Sequence, residues 1–160
     1  MKRFRQFYTE NGDKLFGYLL RKSGSAPLAA DLAQESFTRY FERYRNQKSS
    51  PALLFTIGRN LFYDHVRQQP NIVEYQEEIN EASTMGQEES YIAKEETAKI
   101  LEALQKLSED ERDILSLVVS SNMKYHEIAK IRGCSVANIK VKIHRARKKL
   151  KELLKETDHE

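Results

Sequence analysis

The sequence predicts an all-α protein made of two small helical domains joined by an acidic flexible linker. Apolar residues recur at steps of three and four through most of the 160 residues, which is typical of helices with one buried face. No long alternating run rich in Val, Ile and Thr indicates strands. Charge also divides the chain: residues 1–70 and 98–160 carry net charges of +6 and +4, whereas residues 71–97 carry −7. Two basic modules separated by an acidic segment indicate two contacts with a polyanion.

Three helices are predicted in the first basic module. Ser25 and Ser50 are suitable N-caps for the second and third, with Pro27 and Pro51 in the first turns. Pro70 is predicted to end the third helix because proline cannot continue the helical hydrogen bonds. The predicted helices span residues 4–22, 26–45 and 52–68.

The acidic segment, residues 71–94, is predicted to be a flexible linker. Its apolar pattern is weak up to about Ser90, and it contains many glutamates. An additional packed helix at residues 74–82 is the alternative. Helical spacing resumes at Tyr91 and continues to Leu107.

Four helices are predicted in residues 95–160, and the last is the longest. Ser108 and Glu111 have the spacing of a capping box at the start of a helix over residues 109–120. The residues of this helix that we predict to face inward are Ile114, Leu115, Val118 and Val119.

The segment from Tyr125 to Leu154 is predicted to form a short helix, a tight turn and a long basic helix. Gly133 suits the turn, and Ser135 suits the N-cap of the long helix. Such a pair is a candidate helix-turn-helix, in which the second helix enters the major groove of DNA. An ordinary helical hairpin with a solvated basic face is the alternative.

The third predicted helix alternates basic and aromatic side chains. Stacking by Phe55, Phe62 and Tyr63, with phosphate contacts from Arg59 and Arg67, suits unpaired nucleic-acid strands better than a closed duplex. The alternative is that these rings belong to the hydrophobic core of the domain.

No motif indicates an enzyme or a cofactor. The phosphate-binding GxxxxGK loop, HExxH, GxSxG and Cys/His clusters are absent from the sequence. The single Cys134 can form neither an internal disulfide nor a cysteine-based zinc site alone. No apolar run is long enough for a transmembrane helix. We therefore expect a cytoplasmic protein without enzymatic activity.

Three sequence blocks together resemble the bacterial extracytoplasmic-function (ECF) sigma factor family. They are DLAQESF at residues 31–37, FTIGRNLFYDHVR at residues 55–67, and LSEDERDIL followed by the helix-turn-helix. The resemblance implies a σ2 domain at residues 1–70 and a σ4 domain at residues 95–160, with the linker in place of a σ3 domain. It also implies an alternative sigma factor that binds core RNA polymerase and directs promoter-specific transcription initiation.

The resemblance also implies the site residues and the partners. Docking on the β′ clamp helices of the polymerase is expected of Asp31, Gln34 and Glu35. Recognition of the −10 element is expected of Arg59, Asn60, Tyr63, Asp64 and Arg67. Recognition of the −35 element is expected of Asn138, Lys140, Val141, Lys142, His144 and Arg145, with Arg147 and Lys148 on the DNA backbone. The β flap of the polymerase and an anti-sigma factor are the other implied partners.

The sequence leaves open the role of Asp64, the promoter sequence and two rival functions. Asp64 has an alternative role in bonding a neighbouring arginine. Leu53 stands where the family usually has Trp, and Ala137-Asn138 where it often has Gly-Thr, so a promoter sequence cannot be transferred. Two rival functions are a conventional helix-turn-helix regulator, which binds duplex DNA without polymerase, and a helical adaptor with no DNA role.

Overall fold

The computed structural model describes residues 2–69 and 88–158, and every regular element within those ranges is an α-helix. The all-α prediction is therefore confirmed. The helices are α1 Lys2–Ser23, α2 Ala26–Tyr44, α3 Pro51–Gln68, α4 Glu88–Lys106, α5 Glu109–Ser121, α6 Tyr125–Arg132 and α7 Val136–Asp158. We call α1–α3 the first domain and α4–α7 the second domain. Pro70 and the alternative helix at residues 74–82 lie outside the described residues.

The helices begin where the sequence predicts because their N-caps are local signals. The Ser25 hydroxyl accepts the backbone N–H of Leu28 at 3.3 Å, and that of Ser50 accepts the N–H of Leu53 at 3.2 Å. The reciprocal capping box at the start of α5 is present as predicted. Helix α4 differs, because it begins at Glu88 and so includes the last residues of the segment predicted to be a linker.

The hydrophobic core runs from the first domain into the second. Helix α1 packs against α2 and α3 on one side and against α5 on the other. Phe55 and Phe62 are buried in this core, so the structure supports the alternative interpretation for these two rings. In this arrangement neither ring is available to stack on a base.

The prediction for α5 is wrong at Val119, whose exposed fraction is 63%. Leu117 is buried instead, together with Ile114 and Leu115, which were predicted correctly. The physical reason is that α5 buries polar as well as apolar side chains where it packs, so its apolar residues alone do not define its buried face. The buried polar residues are Asp113, Ser116, Ser120 and Ser121.

Candidate nucleic-acid and polymerase interface

The turn before α7 has the geometry that the sequence predicts. Gly133 adopts a left-handed backbone with φ of 68°, which only glycine adopts without a steric penalty. The Ser135 hydroxyl accepts the backbone N–H of Asn138 at 3.1 Å and so caps α7. Ile128 and Ala129 of α6 are buried and fix α6 against its neighbours. Helices α6 and α7 therefore form a helix-turn-helix.

Helix α7 buries one face and exposes the face predicted to meet DNA. Its buried stripe consists of Ile139, Ile143 and Ala146. The predicted −35 residues on the exposed face are Asn138, Lys140, Val141, His144 and Arg145, and the predicted backbone-binding Arg147 and Lys148 are exposed as well. This exposed face is basic and reaches the first turn of the helix, where a recognition helix contacts base edges.

Lys142 differs from the other predicted −35 residues. It is half-buried, and its ammonium lies 3.3 Å from the carboxylate of Asp110 on α5. Asp110 also pairs with Arg132 of α6, and the two cations lower the pKa of its carboxyl although partial burial opposes this. Through Asp110, Lys142 thus helps to hold α7 against α5 and α6. Its ammonium is paired with a carboxylate of the protein itself.

The predicted polymerase-docking residues share one exposed face of α2. Asp31, Gln34 and Glu35 are spaced at three and four residues, which places them side by side on a helix. Glu35 forms an ion pair with Arg39 at 2.9 Å on the same helix. The face is acidic and lies away from the second domain, to which α2 contributes no major contact.

The predicted −10 residues on α3 divide into two groups. Asn60, Asp64 and Arg67 are exposed, and Asp64 forms an ion pair with Arg67, as its alternative role requires. A small pocket between α2 and α3 is lined by Arg39, Arg43, Ile57, Asn60, Leu61 and Asp64. Arg59 and Tyr63 are instead half-buried against the second domain. The five predicted −10 residues therefore lie on one helix, but only three of them face solvent.

Asp113 of α5 is the centre of a buried polar cluster between the domains. Its side chain is 0% exposed. From the first domain, the Tyr18 hydroxyl donates to it at 2.6 Å, and Lys22 Nζ and Arg59 Nε each lie 3.0 Å away. From the second domain, Arg132 donates to the same carboxylate. Burial alone would raise the pKa of this carboxyl, but Lys22 and Arg59 outweigh it and hold the pKa below its ordinary value.

Glu109, one helical turn before Asp113, extends the cluster to Tyr63. The Tyr63 hydroxyl donates to its carboxylate at 2.8 Å and accepts from Lys22 Nζ at 2.5 Å. Lys22 Nζ also pairs with Glu109 and lies 4.3 Å from the centre of the Tyr63 ring, within cation–π range. Burial, reinforced by Asp113 and Glu109, raises the pKa of Tyr63, so its hydroxyl stays protonated and donates.

The sequence does not reveal this cluster. The sequence contains two features that belong to the cluster. One is a polar stripe on α5 at Glu109, Asp113 and Ser116, and the other is the pair Tyr18 and Lys22, four residues apart on α1. Either pattern is also typical of a solvated helix face. The two patterns are paired only by folding, because Tyr18 and Asp113 are 95 residues apart in the chain.

Two further kinds of site were sought among the described residues, a metal-binding group and a membrane-spanning helix. Within residues 2–69 and 88–158, no group of three His, Cys, Asp or Glu side chains is arranged to hold a metal ion. None of the helices described there combines the length and apolar character needed to cross a membrane.

The helix-turn-helix of α6 and α7, with the exposed basic face of α7, is the arrangement of a DNA-binding helical protein. Comparison with family models agrees, since Sigma-70 region 2 matches residues 7–71 and Sigma-70 region 4 matches residues 97–150. The chain belongs to the ECF family of RNA polymerase sigma factors.

Similar proteins cover most of the chain. The ECF RNA polymerase sigma factor EcfG of Rhodopseudomonas palustris is 36% identical over 143 residues, which is 88% of this chain and 78% of the relative. The RNA polymerase sigma factor YlaC of Bacillus subtilis is 30% identical over 159 residues, which is 93% of this chain and 88% of the relative.

Solved structures show the same fold. The sigma factor RpoE from Bartonella quintana, in complex with the anti-sigma factor NepR, superposes with a TM-score of 0.74 at 26% identity, covering 97% of this chain and 98% of RpoE. CnrH, in complex with the cytosolic domain of CnrY, superposes with a TM-score of 0.70 at 22% identity, covering 96% of this chain and 88% of CnrH.

Proposed function

We propose that this chain is an alternative sigma factor of the ECF type, which binds core RNA polymerase and directs promoter-specific transcription initiation. The observation that carries the proposal is the match of Sigma-70 regions 2 and 4, in that order, to the two helical halves of one chain. Its role is regulatory and not enzymatic, and it acts in the bacterial cytoplasm together with the polymerase.

The same matches support the domain organisation that we propose. Residues 1–70 form a σ2 domain that docks on the polymerase and acts at the −10 element. Residues 95–160 form a σ4 domain that acts at the −35 element, and residues 71–94 connect them. The last residues of this connecting segment, from Glu88 onward, belong to α4.

Docking on the polymerase is assigned to the exposed face of α2. Asp31, Gln34 and Glu35 present two carboxylates and an amide on one stripe, which suits a helical partner with basic side chains. The proposed partner for this face is the β′ clamp helices, and for the second domain it is the β flap. Because the α2 face is exposed in the compact arrangement, docking there requires no prior rearrangement.

Recognition at the −10 element is assigned to α3, with Arg59, Asn60, Tyr63, Asp64 and Arg67 as the contacting set. Phe55 and Phe62 are buried in the core, whereas Tyr63 is half-buried at its edge, so Tyr63 is the ring that we assign to stacking on an unpaired base. Unstacking a base step costs a few kcal/mol, and contacts with the exposed base and its phosphates offset that cost.

Recognition at the −35 element is assigned to the exposed face of α7. Asn138, Lys140, Val141, His144 and Arg145 face solvent near the start of the helix, and Arg147 and Lys148 continue the basic surface along it. Val141 is an exposed apolar group that suits a thymine methyl. Lys142 either positions α7 through its ion pair with Asp110 or leaves that ion pair to contact a DNA phosphate.

An anti-sigma factor is proposed as the third partner. The Bartonella quintana RpoE, which shares the fold over nearly its whole length, is held by the anti-sigma factor NepR. A protein that covers the α2 and α7 faces of this chain would block polymerase and promoter together.

Run-off transcription with core polymerase tests the proposed function. Fragments of the source genome are transcribed with and without this protein, and the start sites are mapped by sequencing the transcripts. We expect a set of start sites that requires both the polymerase and the protein. If the protein adds no start site while a known sigma factor does so under the same conditions, the proposal is wrong.

A further inference from the structure

The first turn of α5 is joined to α7 by two ion pairs within the second domain. The carboxylate of Asp110 lies 3.3 Å from the Lys142 ammonium, and that of Glu111 lies 3.4 Å from the Lys149 ammonium. Lys142 and Lys149 are seven residues apart, which is about two helical turns and places them on one face of α7. The two ion pairs therefore hold α7 at two points along its length.

Asp110 also connects α5 to α6. Its carboxylate pairs with Arg132, the last residue of α6, whose side chain is only 5% exposed. Arg132 pairs with the buried Asp113 as well, so its guanidinium has two carboxylate partners on α5. Asp110 thus contacts both helices of the helix-turn-helix, on either side of the turn at Gly133. We call this set of charged residues the α5 network; it consists of Asp110, Glu111, Arg132, Lys142 and Lys149.

The α5 network lies beside the residues proposed to recognise the −35 element. Lys140, Val141, His144 and Arg145 are exposed on α7, whereas Lys142 is half-buried and paired with α5. These side chains move together when α7 shifts, because they belong to one helix. Hydrogen bonds to base edges need donor–acceptor distances of about 2.7–3.2 Å, so a small shift of the whole helix weakens several of them at once. The orientation of α7 is therefore part of its specificity.

We propose that Asp110 is a positioning residue for the −35 element, which fixes the orientation of α7 through Lys142 and Arg132, and that Lys142 acts through this ion pair and not by contacting DNA. The DNA target named here rests on the proposed function, whereas the effect of Asp110 on the orientation of α7 does not. An ion pair that is partly exposed contributes little to stability, and several charges in a network contribute more. The role assigned to Asp110 concerns the orientation of α7 and does not require a large effect on folding.

Attraction between charges alone predicts the opposite result when Asp110 is changed. DNA repels a nearby carboxylate, so removing the charge of Asp110 would strengthen DNA binding if only long-range attraction mattered. The same change would free Lys142 for a phosphate, which increases the magnitude of the slope of log affinity against log salt concentration by about one. Weaker recognition of the −35 element after loss of this carboxylate therefore distinguishes positioning from charge attraction.

The full chain assembled with core polymerase provides the first measurement. Two promoter fragments are compared, one with the −35 element of a start site mapped in the transcription assay and one with that element scrambled. Asp110→Asn should lower the preference for the intact element about tenfold, which corresponds to the loss of about one base contact. The affinity for the scrambled fragment and its salt slope should change little, because the phosphate contacts remain.

Lys142→Met tests the same ion pair from α7, with a side chain of similar length and no charge. It should lower the preference for the intact element as Asp110→Asn does, and the double variant should lose no more than either single variant, because both changes remove one interaction. If Lys142 contacts a phosphate, Lys142→Met instead reduces the magnitude of the salt slope by about one on both fragments. Glu152→Gln makes the same charge change as Asp110→Asn at an exposed position of α7 and should leave the preference unchanged.

The orientation of α7 is measured without DNA or polymerase. Spin labels are attached after Val119→Cys in α5 and Lys151→Cys in α7, two exposed positions, in a chain that also carries Cys134→Ser so that only these sites are labelled. Pulsed electron paramagnetic resonance should give a shifted or broader distance distribution for Asp110→Asn than for the same labelled chain without that change. Glu152→Gln should leave the distribution unchanged.

The positioning role is contradicted if Asp110→Asn, shown to be folded by its thermal unfolding, keeps the preference for the −35 element. Stronger DNA binding with a steeper salt slope would also contradict it and would make Lys142 a phosphate contact. So would a loss of preference with no change in the distance distribution. If Asp110→Asn does not fold, Lys142→Met carries the same tests.

Failure of the proposed function gives a different pattern. If the unsubstituted protein adds no start sites but the distance distribution still responds to Asp110→Asn, the sigma assignment is wrong and the orientation of α7 by Asp110 stands. If the protein adds start sites and Asp110→Asn changes neither the distance distribution nor the preference, the positioning role alone is wrong.

Discussion

Asp113 is a carboxylate without solvent contact that remains ionised because cations surround it. Lys22 and Arg59 from one domain and Arg132 from the other offset the cost of removing its charge from water. The sign of its pKa shift fixes the pH dependence of stability. Its pKa is lower in the folded protein than in the unfolded chain, so the unfolded chain binds protons more readily as the pH falls.

We therefore expect the free energy of unfolding to decrease as the pH falls below about 4, near the ordinary pKa of an aspartate. Above that range the contribution of Asp113 is fully present. Asp110 and Glu111 also have lowered pKa values and contribute in the same direction. Urea denaturation between neutral pH and pH 3 measures the trend, and Asp113→Asn should weaken it. If the free energy of unfolding of that variant falls equally steeply with pH, the neighbours of Asp113 do not lower its pKa in the folded protein.

A second prediction concerns the turn of the helix-turn-helix. Gly133→Ala should lower the free energy of unfolding by about 1 kcal/mol, because a Cβ is unfavourable in the left-handed backbone region. No heavy atom lies within 4 Å of that Cβ, so backbone strain is the only cost. Gly12→Ala, in the middle of α1 with ordinary backbone angles, is the control and should raise stability by about 0.5–1 kcal/mol. Equal effects of the two changes would contradict the turn geometry.

At the scale of single elements, α7 supports the clearest prediction. Lys140→Ala and Arg145→Ala should each weaken binding of the polymerase complex to a promoter fragment. If the lost contact is with a phosphate, the slope of log affinity against log salt concentration should also decrease in magnitude by about one. A contact with a base edge would instead change the preferred −35 sequence. Lys155→Ala, an equal charge change near the far end of the helix, is the control. Similar losses for all three variants would indicate nonspecific charge attraction.

Helix α2 supports a complementary prediction for the polymerase. Asp31→Arg should weaken binding to core polymerase by at least about tenfold, because it places a cation opposite a basic partner helix. The variant should fold normally, since Asp31 is exposed and forms no ion pair with the described residues. Asp13→Arg makes the same charge change at an exposed position of α1. The docking assignment fails if both variants bind the polymerase equally well.

The single elements were predictable because their signals are local. Ser25, Ser50 and Ser108 cap helices within three residues of themselves, and Gly133 fixes its own turn. The exposed face of α7 follows from the steps of three and four in its buried stripe. The error at Val119 arose because α5 buries polar residues such as Asp113 and Ser116, so the apolar pattern alone placed its buried face wrongly.

At the scale of the whole molecule, the family and the two-domain organisation were predictable from three sequence blocks, but the closed arrangement was not. The blocks specify each domain separately. The cluster joins Asp113 to residues of the first domain that are 54 to 95 positions away in the chain, and polar stripes on separate helices do not reveal which of them pair. Among the predicted site residues, those on α2 are exposed and those on α7 are exposed apart from Lys142, whereas Arg59 and Tyr63 of the α3 set are half-buried against the second domain.

We propose that the chain recognises a promoter at two elements and does so only when it is bound to the polymerase. The most direct measurement compares nuclease protection and permanganate reactivity on one promoter fragment found by the transcription assay. With core polymerase and the protein together, we predict protection of the −35 duplex and reactive, unpaired thymines near −10. With the protein alone, neither signal should appear. Stable duplex protection by the protein alone, without reactive thymines when polymerase is added, would contradict the account and indicate a conventional helix-turn-helix regulator.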